Sequence, residues 1–183
     1  MAVGVAMAVQ SGSAAVKART DFNKAFDFAQ ARTWGWNPKA AGQIILARTP
    51  SDDPELVRQR AEPIIFSTVT TEMPKRGLKP ASGAADLTLT YYLLLTIGSS
   101  AQTMGQFLPA TTGWGLPPFL ASTTSLEVVQ QGSLVLDLSA NDQVVWRGVG
   151  EAQIQMGLSM EKRESLIREA VREILKQYPP KKK

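Results

Sequence analysis

The chain contains neither cysteine nor histidine among its 183 residues. Without cysteine there is no disulfide framework and no thiolate nucleophile. Without either residue, zinc sites of the Cys/His kind and His-ligated haem or copper are excluded. Every Ser-His-Asp and Cys-His mechanism is excluded as well. Catalysis would have to rest on Asp, Glu, Lys, Ser, Tyr or Arg, and a metal would have to be an oxygen-loving one. Long apolar runs are also missing, since none approaches the ~20 residues that span a bilayer.

What is present is ordinary globular composition, 44% hydrophobic and 20% charged, at a length that suits one domain with a real core. The net charge of +4 invites a nucleic-acid or anionic-membrane reading. Most of the cations, however, are interleaved with acids, as in Glu161-Lys162-Arg163-Glu164. The one unmixed run, Lys181-Lys182-Lys183, reads as a solvated basic tail, and no nucleic-acid partner is expected.

Residues Ala2 to Val9 are small and apolar, and Gln10 to Ala15 are mostly small. An apolar stretch followed by small residues at −3 and −1 is how a secretory signal ends. Ser13 and Ala15 fit those positions and predict a mature chain from Val16; Gly12 and Ala14 fit as well. Residues 1–15 are thus expected to be an export signal, residues 16–180 a single domain and residues 181–183 the tail. The expected location is the periplasm or cell envelope, without a lipid anchor, because no cysteine exists to carry one.

Alternation of small or apolar with charged residues predicts a half-buried strand over Val16 to Phe22. Thr33 to Trp36 reads as a second short strand ended by Asn37-Pro38, and 37–52 as a loop. A helix is predicted from Ser51–Asp53, with Pro54 in its first turn and Asp53 and Glu55 at its positive end. Val57, Ala61, Ile64, Val69 and Met73 mark its buried face, Pro63 should kink or split it, and Gly77 should close it. The clearest strand is Asp86 to Ile97, apolar at every odd position from Leu87 and mostly polar at the even ones. A further strand from about Thr124 carries Leu126, Val128, Leu134, Leu136 and Leu138 on one face, with Gly132 as a bulge or bend. Ala140-Asn141-Asp142 turns the chain into a hairpin arm, Gln143 to Ile154, with Val144 and Trp146 on one face. The last helix starts at the N-cap Ser159, buries Ile167, Ala170, Val171, Ile174, Leu175 and Tyr178, and stops at Pro179-Pro180. Most strands are joined by turns or loops. The expected fold is therefore α+β, a largely antiparallel sheet of about five strands with two helices packed on one face.

Short motifs run through this framework in order. They are Phe26-Asp27-Phe28 leading to Arg32-Thr33-Trp34-Gly35-Trp36, Lys75-Arg76-Gly77-Leu78 with Ala85-Asp86-Leu87, and Gly132 to Leu138 with Val145-Trp146-Arg147-Gly148. The last is the closing Ile174-Leu175-Lys176-Gln177-Tyr178-Pro179-Pro180. Together, from Val16 to Pro180, they resemble the bacterial lipoprotein family catalogued as domain of unknown function 4136. The resemblance implies an envelope protein, usually signal-bearing and often lipidated, and supplies no activity, cofactor or catalytic residue. The chain departs from it in lacking the lipid-bearing cysteine.

Candidate functional residues are few. Trp34, Trp36 and Trp146 could form an aromatic ligand platform; core packing is the alternative, clearest for Trp146. Asp86, Asp137 and Glu151 could be acid–base carboxylates, but no spacing places two of them together. Asp137 points away from Leu136 and Leu138, and Arg147 shares that register, which predicts a cross-strand ion pair on a solvated face. The segment 98–122 is a long loop rich in Gly, Ser, Thr and Pro that still carries large apolar side chains. Phe107, Trp114 and Phe119 are its candidate contacts with an envelope partner or membrane surface, and folding back onto the sheet is the alternative. The functional expectation is a non-enzymatic envelope protein making such a contact. Behind it stands a carrier of a small apolar ligand held between sheet and helices, and behind both a carboxylate-based enzyme. No cofactor is expected.

Overall fold

Alternating strand sequences and two capped helices assemble into one sheet with its helices on a single face. The computed structural model describes residues 15–39, 42–46, 53–97, 130–154 and 158–181. In chain order these form β1 (Lys17–Phe22), β2 (Thr33–Trp36), β3 (Gly42–Leu46), α1 (Pro54–Glu72), β4 (Lys79–Pro80), β5 (Leu87–Ile97), β6 (Gln130–Ala140), β7 (Gln143–Ile154) and α2 (Met160–Leu175). None of the described helices is long and apolar enough to cross a membrane.

The sheet has seven strands rather than about five, and it is mixed. β1, β7, β6 and β5 follow one another antiparallel. The far edge of β5 is shared by two short strands. β2 pairs with Leu87–Leu89 and β3 with Tyr91–Leu95, both parallel to β5, and β4 lies parallel outside β2. Two expectations are corrected here. Residues 42–46 are a strand inside what was expected to be a loop, and α1 is a helical crossover between β3 and β5. A crossover returns the chain to the same end of the sheet, so the strands it joins run parallel.

Asp53 caps α1 by accepting the Glu55 amide at 2.9 Å, with Pro54 in the first turn. Pro63 neither splits nor ends this helix, contrary to expectation. It sits on the exposed side with Gln59, whose carbonyl loses an amide partner where water can replace it. Gly77 closes the 3₁₀ turn that follows α1, at φ +84°, a left-handed conformation that glycine adopts freely. Between β6 and β7, Asn141 (φ 51°) and Asp142 (φ 60°) form the two-residue turn of positive φ that suits a twisted hairpin.

The helix-side face of β5 buries Leu87, Leu89, Tyr91 and Leu93, as the alternation predicts. Leu134, Leu136, Leu138 and Trp146 continue this layer, and Ala61, Ile65 and Val69 of α1, Met73 at its C-terminal cap, and Ala170, Val171, Ile174 and Leu175 of α2 cover it. Each such aliphatic side chain contributes about 1.5–3 kcal/mol on burial. α2 lies close on β7 because Gly148 has no side chain; a Cβ there would meet Ile174 Cγ2 at 2.3 Å. Gly132 is not a bulge. It pairs in register with Leu95 and Ala152, and the irregularity falls between Leu138 and Ser139 instead. That extra residue breaks the alternation, so Val145 rather than Val144 joins Trp146 in the core.

The opposite face is not simply polar. Leu94, Val135 and Val149 form a second buried cluster there, flanked by Ile45 and Tyr92.

Candidate site: an apolar crevice between the helices and the sheet

Every third or fourth residue of α1 from Val57 lies on one stripe, and Val57, Arg60, Ala61 and Ile64 form one wall of a crevice. The first three turns of α2 form the other wall with Met160, Arg163, Ile167 and Ala170. The floor is the helix-side face of β5, β6 and β7. Leu93 and Leu134 are large, but Gly132, Gly150 and Ala152 beside them are small, and Gly132 pairs across the strands with Ala152, Leu134 with Gly150. Small side chains on the floor under two separate helices leave a cavity of about 160 Å³.

The mouth is marked by exposure. Leu56 and Met160 are the exposed large hydrophobic side chains among the described residues, each 43% accessible. Met160 lines the crevice and Leu56 precedes Val57 at the start of its α1 wall. Arg60 reaches across, with Nη1 4.0 Å from Met160 Sδ. Arg163 donates Nε–H to the Leu158 carbonyl at 3.1 Å. Neither guanidinium meets a carboxylate among the described residues. Glu164, also at the rim, accepts from Arg168 at 3.1 Å. Glu161, in the first turn of α2, is held below its ordinary range by hydrogen bonds at the helix cap.

The carboxylates considered for acid–base chemistry are engaged elsewhere. Asp86 Oδ2 accepts from the Arg32 amide at 2.9 Å, the Thr33 amide at 2.9 Å and Thr33 Oγ1 at 2.8 Å. These bonds clasp the start of β2 to β5 and hold its pKa below the ordinary value, the Arg32 amide first. Glu151 takes Arg19 at 3.4 Å. Asp137 is paired with Arg147 as the register predicts, Oδ1 to Nε at 2.8 Å and Oδ2 to Nη2 at 2.6 Å. The expected solvated face is wrong, however: Asp137 is 1% and Arg147 5% exposed. Alternation correctly turned both away from Leu136 and Leu138, but Leu94, Val135 and Val149 make that second face apolar too. Burial pushes the Asp137 carboxyl up against the pull of the guanidinium, and Asp137 holds Arg147 above its usual value despite the opposing desolvation. Glu72, with its side chain 6% exposed, gathers Lys75 at 2.7 Å and Arg76 and Arg172 at 3.8 Å, tying the ends of α1 and α2. Among the described residues no cluster of acidic side chains is arranged to hold a metal.

Trp34 and Trp146 are core, and Trp36 is partly buried against it. Trp34 is 3% exposed and Trp146 fully buried. Trp34 packs edge-on against Trp36 at 5.6 Å, Trp36 lies 4.2 Å from Phe66, and Phe66 meets Tyr91 at 6.1 Å. Trp146 and Phe28 sandwich Tyr178 edge-on at 5.7 and 5.8 Å. Phe107, Trp114 and Phe119 lie outside the described residues. A second groove, more open and polar, spans about 540 Å³ beside Asp86, Asn141 and Asp142. Its acids are committed, Asp86 to Arg32 and Thr33 and Asp142 to Lys39 at 2.8 Å.

Arg60 and Arg163 were not singled out from the sequence. A signal existed, because each interrupts an otherwise apolar helical stripe, Arg60 between Val57 and Ile64 and Arg163 before Ile167 and Ala170.

The fold now joins the sequence motifs. The profile of the family called Domain of unknown function (DUF4136) matches residues 18–180. The chain belongs to the DUF4136 family. A DUF4136 family protein from Bacteroides thetaiotaomicron has a similar crystal structure, at 18% identity and a TM-score of 0.52, covering 90% of this chain and 96% of that one. A PDZ domain protein from Parabacteroides distasonis is similar at 12% identity and a TM-score of 0.53, over 93% of this chain but 38% of its own. Both neighbours are bacterial, and at these identities the likeness is one of fold. No curated protein matches the DUF4136 chain in sequence.

Proposed function

We propose that this DUF4136 domain is a non-enzymatic binding protein of the bacterial cell envelope, and that it takes the apolar part of a small ligand into the crevice between α1, α2 and the sheet. The crevice carries this reading. It is a cavity of about 160 Å³ with aliphatic walls. Its lining includes Met160, an exposed large apolar side chain. An engineered apolar cavity of about 150 Å³ stays dry and binds benzene. A cavity of this size therefore suits a ring or the end of a chain, not a whole lipid. The polar groove is the weaker candidate, since its acids already hold backbone and lysine partners. The envelope location is supported by the N-terminal sequence and by the family resemblance.

The test is uptake of N-phenyl-1-naphthylamine, an uncharged apolar dye that can seat its phenyl ring in the cavity and brightens on leaving water. Wild-type protein should bind it, and Ala152→Phe, which projects a ring into the cavity, should not, while keeping its circular dichroism. A wild-type protein that leaves the dye dark would refute the reading, as would a folded Ala152→Phe that binds equally well. Contact of Phe107, Trp114 and Phe119 with a membrane or envelope partner is a companion proposal, supported by the apolar content of that loop sequence. Replacing the three with Ser should reduce co-fractionation with membranes.

A further inference from the structure

The charges at the mouth say more about the ligand than the walls do. Two guanidiniums, Arg60 on α1 and Arg163 on α2, stand on opposite walls of the same opening. Among the described residues neither has a carboxylate partner. By contrast Arg58, two residues from Arg60, pairs with Glu55 at 3.7 Å, and Arg168 with Glu164. Arg60 is held against Met160 and Arg163 by the Leu158 carbonyl, so both are placed without being neutralised. The N-terminal end of α2 lies at the same rim, where its own Ser159 and Glu161 cap it. Its negative neighbours are engaged, Glu161 at the helix cap and Glu164 with Arg168.

An apolar cavity below two unpaired cations is complementary to a molecule with an apolar end and an anionic head. Resting on the reading proposed above, we infer that the ligand is an anionic single-chain amphiphile. The tip of its chain fills the crevice, the next carbons lie against Met160, and its carboxylate or phosphate pairs with Arg60 and Arg163. The cavity admits only a benzene-sized segment, which favours a medium-length chain over a two-chain lipid. Guanidiniums suit either head because their paired N–H groups match the oxygen spacing of both.

Four ten-carbon probes below their micellar concentrations separate the possibilities by competition with the dye: decanoate, decyl phosphate, decanol and decyltrimethylammonium. One or both anions should bind at least about tenfold more tightly than decanol, since a charge-assisted hydrogen bond is the stronger kind. The cation should bind more weakly than decanol. Preference for decanoate would identify a carboxylate head, and preference for decyl phosphate a phosphate head. Arg60→Gln with Arg163→Gln should abolish the anion preference, read as the ratio of anion to decanol affinity within the variant, and 0.5 M salt should shrink the preference in the wild type. If decanol binds and the anions bind no better, the inference falls while the apolar crevice stands. If none of the four displaces the dye, the crevice reading falls with it.

Discussion

Removing one partner of the Asp137–Arg147 pair should cost far more than removing both. The two side chains are 2% and 7% exposed and share two parallel hydrogen bonds of 2.8 and 2.6 Å. Arg147 Nη1 is already buried without a partner. Asp137→Asn keeps the shape of the site but leaves a buried guanidinium only the more distant charge of Asp21 on β1. Breaking a buried pair in this way costs about 3–5 kcal/mol. A whole domain is worth about 5–15 kcal/mol, so the variant should be marginal. With a urea slope of about 2 kcal/mol/M, the midpoint should fall by about 1.5–2.5 M. Asp137→Leu combined with Arg147→Met removes both charges from a face already lined by Leu94, Val135 and Val149. That double variant should unfold within about 1 kcal/mol of the wild type, because desolvation of the ions offsets much of their attraction. Urea titration followed by far-ultraviolet circular dichroism measures both. An Asp137→Asn midpoint equal to wild type, or a double variant no better than the single, would refute the account of a desolvated, mutually dependent pair.

All three tyrosines should resist ionisation in the folded state. Tyr91 is pushed up by burial and by donating to Glu62 at 2.8 Å, Tyr92 by burial and the charge of Asp137, and Tyr178 by burial to about 12. An unfolded tyrosine loses its proton near pH 10, so the tyrosines' contribution to stability should be level below pH 10 and fall as pH rises toward 12. Absorbance at 295 nm should show no tyrosinate until the alkaline unfolding transition, and a tyrosine titrating near pH 10 in folded protein would contradict this. Gly148→Val should destabilise by about 1–3 kcal/mol through its clash with Ile174 and Trp146, whereas Gly83→Ala, with nothing within 4 Å, should be near neutral in the same urea assay. For the proposed location, envelope fractions analysed by mass spectrometry should contain a chain beginning at Val16 or Ala15; recovery only from the cytoplasm with residues 1–15 retained would count against export.

The features legible in the sequence are those set by a residue and its near neighbours along the chain. Side-chain direction alternates in a strand, so the buried face of β5 could be read from Leu87, Leu89, Tyr91 and Leu93. A cap bonds to an amide two or three residues away, so Asp53 and Ser159 announced their helices. The order of short motifs was enough to place the chain in its family, which the match over residues 18–180 bears out. What tertiary structure decided depends on groups distant in sequence. Gly42–Leu46 is a strand because β5 supplies its hydrogen bonds, and its direction is parallel because α1 carries the chain back. Alternation told which way Asp137 and Arg147 point but not what stands beside them, so it could not tell a solvated pair from a buried one. The crevice is the plainest case. Arg60, Leu93, Ala152 and Arg163 come from four elements, and each looks like ordinary helix surface or core on its own. Only the packing of two helices over glycine and alanine left a space there, because a cavity is a property of what surrounding atoms fail to fill.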